Sequence, residues 1–149
     1  MREIALIAST LAAFFPLTTG AASAASSAPV QSERSLREEC SYEITGFREC
    51  LEKKQKLSEN NLKSAEKHVR DALSKWDEDA KYIALAKTSL AASEKAFAKY
   101  REDQCAFAAS LGGGAIGNAL DVRRLACAAE LNNRRAEQLR NAVTDLPLK

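Results

Sequence analysis

Proline is absent between Pro29 and Pro147, and histidine occurs once, as His68. The first absence leaves nothing in the middle of the chain to interrupt a helix. The second removes the commonest general acid–base side chain from all but one position, and His68 sits among Glu66, Lys67 and Arg70 in the pattern of an exposed helix face. Charge of one sign is also lacking. The net charge is +2, and the arginines between Arg123 and Arg140 are interleaved with Asp121, Glu130 and Glu137, so the basic stripe of a nucleic-acid binder is missing. No two cysteines have the C-x-x-C spacing of a structural zinc site, so neither a metal nor a cofactor is expected. Alternating, strand-like hydrophobicity is not evident anywhere.

What is present begins with a leader. Arg2 precedes an apolar run from Ile4 to Leu17, and Ala22-Ser23-Ala24 supplies a small-x-small cleavage pattern, which reads as a signal peptide over residues 1–24. The run is shorter than the roughly 20 residues needed to cross a bilayer and carries Pro16 near its end. The first cysteine is Cys40, far from the expected cut, so no lipid attachment is expected and the mature protein should lack a stable membrane anchor. The expected location is periplasmic or secreted. Residues 25–39 are expected to form a flexible tether, residues 40–143 the folded domain and residues 144–149 a C-terminal tail.

Cys40, Cys50, Cys105 and Cys127 make an even count in an exported chain, which points to two disulfides. Three pairings are possible, and geometry favours Cys40 with Cys50 and Cys105 with Cys127. On one continuous helix Cys40 and Cys50 would stand roughly 15 Å apart, beyond the bridging limit of about 7 Å, so the chain must turn between them. Thr45-Gly46 is the expected turn, Thr45 capping the helix after it. The midpoint of Cys105 and Cys127 is Ile116, within Gly112 to Gly117, where four of the six glycines lie and can reverse an antiparallel helical hairpin. That glycine segment is preceded by helix rather than strand and lacks a Gly-Lys-Ser/Thr ending, so it is not a phosphate-binding loop.

Apolar residues recur at helical spacing from Leu62 through Ala65, Val69, Leu73, Trp76, Ala80 and Ile83. Three helices are expected: residues 46–75, 80–110 and 118–143. Asp77 or Asp79 would cap the second and Asn118 the third. Their buried faces should carry Ile83, Ala86, Leu90, Phe97, Tyr100 and Phe107 in the second, and Leu120, Cys127, Leu131, Leu139 and Val143 in the third. The economical fold is all-α, a small antiparallel bundle of about three helices stapled by two disulfides. The alternative is one rod through residue 77, which would favour a dimer that completes the core. Within Tyr100-Arg101-Glu102-Asp103 ion pairs are expected rather than catalysis. Arg101 should pack its stem and bind a carboxylate or carbonyl with its head, with Glu94 a candidate partner. No enzyme is expected.

Leu90, Phe97, Tyr100-Arg101, Cys105, Gly113-Gly114, Cys127, Leu131, Arg135 and Leu139, with "FAKYREDQCAF" and "LACAAELNNRRAEQL" around them, resemble the exported bacterial family named for the lysozyme inhibitor LprI. The resemblance runs from about Cys40 to Leu139. It implies a small helical, disulfide-bridged protein outside the cytoplasmic membrane, in which Phe97, Tyr100, Arg101, Leu131 and Arg135 are structural. It also implies a protein partner, with lysozyme the first candidate. The bend and its neighbours, Ser110, Gly112, Gly113, Gly114, Asn118, Arg123 and Arg124, are the candidate contact residues. The rival expectation is an envelope protein that uses a helix face to bind a partner or itself.

Overall fold

A computed structural model describes residues 29–44, 46–114 and 118–149. The expected signal peptide, residues 25–28 of the tether, Thr45 and Ile116 lie outside the described residues. Among the described residues four helices succeed one another: α1 (Glu33–Cys40), α2 (Phe47–Lys75), α3 (Ala80–Ser110) and α4 (Ala119–Ala142). The fold is all-α, with one helix more than expected.

The additional helix corrects the reading of residues 33–39 as tether. Ser32 caps α1, its hydroxyl accepting from the Ser35 N–H at 3.2 Å, and Glu33 sits in the first turn, where a carboxylate complements the helix dipole. Eight residues are too few for a helix to persist alone in water. Tertiary contact holds it: Leu36 and Cys40 are buried against Leu51, Val122, Ala126 and Ala129, and the Glu33 N–H donates to Glu130 Oε2 at 2.5 Å.

Lys54 of α2 also grips α1, donating to Glu39 at 2.6 Å. That hydrogen bond, helped by one from Gln31, holds the Glu39 carboxyl below the ordinary glutamate value. A carboxyl lowered by folding contributes stability above its unfolded pKa and loses it as pH falls through the folded value. Amide exchange in α1 is therefore expected to rise first below about pH 4, and Glu39→Gln should remove that acid step. Because the pair is partly solvent-exposed, the change should stay under about 1 kcal/mol. Unchanged protection of α1 through the acid range would refute it.

α2 ends at Trp76, whose backbone is extended (φ −61°, ψ 130°). The break is clasped by the C-terminal residues: the Asp77 N–H donates to the Pro147 carbonyl at 2.9 Å and the Lys149 N–H to the Lys75 carbonyl at 2.8 Å. Helices α2 and α3 are thus separate, and the continuous rod does not form. Asp79 stands at the N-cap position of α3 but makes no side-chain cap bond, as is also true of Asn118 before α4.

Side-chain pairs give the helix directions. Arg48 with Asn118, Ser58 with Asn132 and Asn61 with Asn133 advance together, so α2 and α4 run parallel. Cys105 with Cys127, Arg101 with Asn132 and Arg135 with Ser93 run oppositely, so α3 is antiparallel to α4. The main core lies between α2 and α4, where Leu62, Ala65, Val69, Leu73, Ala136, Leu139 and Val143 are buried and Leu90 and Phe97 of α3 lean on them. α3 itself buries only Cys105, Ala108 and Ala109.

That placement corrects three expected core positions: Tyr100, Phe107 and Leu120 are exposed. Tyr100 is therefore not a packing residue. The reason is that α3 is apolar on two sides and only one meets the bundle. Phe97 is half-buried, with the Arg101 guanidinium 5.8 Å and that of Arg135 5.7 Å from its ring centroid, a doubled cation–π contact. Leu131 packs against the buried Cys105 and Cys127. Arg101 meets neither Glu94 nor a backbone carbonyl: its Nη1 donates to Asn132 Oδ1 at 2.6 Å, while Glu94 pairs with Arg70.

Candidate functional site

Because α2 and α4 start, and α3 stops, at one end of the bundle, residues 41–44 and residues 111–114 lie at that same end. Both bridges sit immediately behind them. Cys40–Cys50 and Cys105–Cys127 form as geometry favoured, each with its Cα atoms 5.5 Å apart. Gly46 takes φ 105°, a conformation that side chains disfavour, and so lets the chain swing from α1 into α2. Gly113, at φ 59°, does the same beyond α3. Arg48 ties the start of α2 to that of α4, donating to Asn118 Oδ1 at 3.3 Å and pairing with Asp121 at 3.6 Å.

The end so held is apolar where it meets solvent. Ile44 is 102% and Tyr42 82% exposed on the first turn, and Phe107, Leu111, Phe47 and Leu120 add exposed surface around the bend. Large side chains this open beside two disulfides mark a candidate contact surface. Two helix N-termini, those of α2 and α4, also point there and leave partial positive charge beside it.

The residues expected at this site divide. Ser110 is satisfied within its own helix, its hydroxyl donating to the Phe107 carbonyl at 2.7 Å. Gly112 lies half-buried beneath Leu120, and Gly113 and Gly114 are exposed. Asn118 serves as the acceptor for Arg48. Arg123 and Arg124 do not act as a pair, since neighbours on a helix point about 100° apart. Arg123 faces α1, sharing a hollow with Arg34, Arg37 and Glu38. Arg124 looks the other way, into a groove of about 580 Å³ between α3 and α4 that Lys99, Arg101 and Glu102 also line.

Sequence reasoning missed Tyr42, Ile44 and Phe47. The signal was available, because Tyr42, Ile44 and Phe47 all fall between bonded cysteines only 10 positions apart, a segment too short to enclose them. Among the described residues no group of metal-ligating side chains comes together, and every cysteine is in a bridge. The arrangement offers exposed apolar side chains at one end of the bundle, with guanidinium groups on its flanks. Such a surface suits a protein partner better than a small reactive substrate.

The family model described as "Lysozyme inhibitor LprI" matches residues 30–139. That span takes in α1, which the fold also places inside the domain. No curated protein and no solved structure matches the chain.

Proposed function

The chain belongs to the lysozyme inhibitor LprI family, and on that premise we propose that it is an exported, non-enzymatic binding protein that inhibits lysozyme by occluding the glycan cleft with its bridged end. The observation that carries this reading is the exposure of Ile44 and Tyr42 on a turn fixed by Cys40–Cys50, at the same end as a bend fixed by Cys105–Cys127. Both bridges favour an oxidising compartment, in keeping with export to the periplasm or beyond. Among the described residues no helix is long and apolar enough to cross a membrane.

An end held by two disulfides loses less conformational entropy on docking than an unbridged one. Ile44 and Tyr42 supply anchors, and a flanking arginine, Arg123 or Arg124, can meet a carboxylate of the pair that performs glycoside hydrolysis. With a net charge of only +2, long-range steering contributes little, and affinity rests on local fit.

The test is the lysis of cell walls by lysozyme with excess mature, oxidised protein. Lysis should slow, and Ile44→Asp, which alters a side chain that packs on nothing, should weaken inhibition roughly tenfold, the equivalent of about 1.4 kcal/mol. An undiminished lysis rate with the unmodified protein would overturn the reading and leave the envelope interaction protein in its place.

A further inference from the structure

The groove between α3 and α4 has the proportions and the charges of a small-ligand site. Its volume is about 580 Å³, and such sites run from roughly 300 to 1,000 Å³. The buried Cys105 forms part of its floor, while Ala98, Ala106, Leu125 and Ala128 give it small apolar walls.

Each charge on the lining can be accounted for. Lys99 is held by Asp103 at 2.5 Å, and the two cancel. Arg101 keeps its charge, but its guanidinium is committed to Asn132 Oδ1 at 2.6 Å and to the ring of Phe97. Arg124 and Glu102 are left: among the described residues neither makes a hydrogen bond or an ion pair. The lining thus offers one uncommitted cation and one uncommitted anion, and Arg101 adds a surplus positive charge. The two uncommitted groups stand too far apart to pair with each other. The antiparallel register set by Cys105–Cys127 and Arg101–Asn132 puts Arg124 level with Ala108, about 9 Å along the axis from Glu102. Three residues of extended chain span about 10 Å, so a tripeptide carries its amino and carboxyl groups at that separation.

We infer that this groove binds a short zwitterionic peptide, with the peptide carboxylate on Arg124, its ammonium on Glu102 and small apolar side chains against the alanine walls. A guanidinium holds a carboxylate through paired hydrogen bonds, and the surplus charge of Arg101 favours the same end, so the carboxyl terminus has the firmer grip. Gln55 also lines the groove; its amide nitrogen donates to Glu59 at 2.6 Å, which leaves its carbonyl oxygen for a peptide N–H. Both Arg124 and Glu102 are exposed, so the affinity is modest. The inference does not depend on lysozyme inhibition, and because Arg124 also flanks the bridged end, its test reads peptide binding rather than lysis.

The probe is tri-L-alanine, titrated to millimolar concentration into the mature, oxidised protein and followed by nitrogen–proton correlation spectra. Saturable shifts are expected at Ala98, Ala106, Leu125 and Ala128. Acetylating the amine of the peptide, or amidating its carboxyl, should each weaken binding by about threefold or more. Glu102→Gln should erase the penalty for acetylation alone, and Arg124→Gln the penalty for amidation alone. Both substitutions fall on exposed helical positions and should leave the circular dichroism unchanged. Absence of saturable shifts would overturn the inference, as would shifts centred on Tyr42 and Ile44. Equal binding of the acetylated peptide to the unmodified protein would mark a site for a protein C-terminus instead, and tighter binding of decanoate than of tri-L-alanine a site for an amphipathic carboxylate; either result would overturn it. Penalties that survive both substitutions would do the same.

Discussion

Replacing Cys105 and Cys127 together by alanine is expected to lower the free energy of unfolding by about 3 kcal/mol. The bridge closes a segment of sequence separation 22, and without it the unfolded chain regains the freedom that closure removes. For a domain of ordinary stability, about 5–15 kcal/mol, this is a large share of the whole. The loss should also be structural at one place. α3 buries few residues of its own, and the bridge joins its last turns to α4 beside Ala108 and Leu131. Urea denaturation should therefore show a markedly lower midpoint, while amide exchange should rise first around the bend after Ser110. Removing Cys40–Cys50 in the same way should cost somewhat less, the separation being 10, and should loosen α1 instead. An unchanged urea midpoint for the Cys105→Ala/Cys127→Ala protein would show that packing alone holds the α3–α4 hairpin.

Asn132 should be the most sensitive polar position. It is fully buried, and its two amide atoms serve two other helices: Oδ1 accepts from Arg101 of α3 at 2.6 Å and Nδ2 donates to Ser58 of α2 at 2.9 Å. The Ser58 hydroxyl in turn donates to the Gln55 carbonyl at 2.6 Å. One chain of hydrogen bonds thus crosses the bundle between its apolar layers. Asn132→Leu keeps the volume but strips a guanidinium of its acceptor and a buried hydroxyl of its donor, which should cost about 2–4 kcal/mol. Adding Arg101→Met to that variant should recover part of the loss, since two apolar partners of similar shape satisfy each other where one orphaned charge cannot. Equal stability of Asn132→Leu and the unmodified protein, by the same denaturation measurement, would show that Arg101 finds water at no cost.

How far the chain could be read from its residues varied by element. α3 starts at Ala80 and stops at Ser110 as its pattern predicts, and α2 and α4 fall within a residue of theirs, because long helices without proline declare themselves by periodicity and by the turns that end them. The cysteine pairing was legible for a related reason: rise per residue excludes a bridge along one helix and puts the partners on either side of a turn. α1 was not legible. A short segment with one leucine has no periodicity to speak of, and its helix exists because Leu36 and Cys40 find a prepared apolar seat. Asn132 looked like one polar residue among several in "LNNRR", since nothing in a run of letters says which side of a helix will be enclosed.

The residues alone determined an all-α chain, two bridges and the family to which they belong, because helix length, turn chemistry and sulfur geometry are local matters. Tertiary structure decided that α2 and α4 run parallel around the core with α3 at the flank, that Arg123 and Arg124 part company, and that Tyr42 and Ile44 stand in solvent. Those outcomes depend on which of several apolar faces find each other. A helix that is apolar on two sides, as α3 is, specifies that it will pack but not which side it will present.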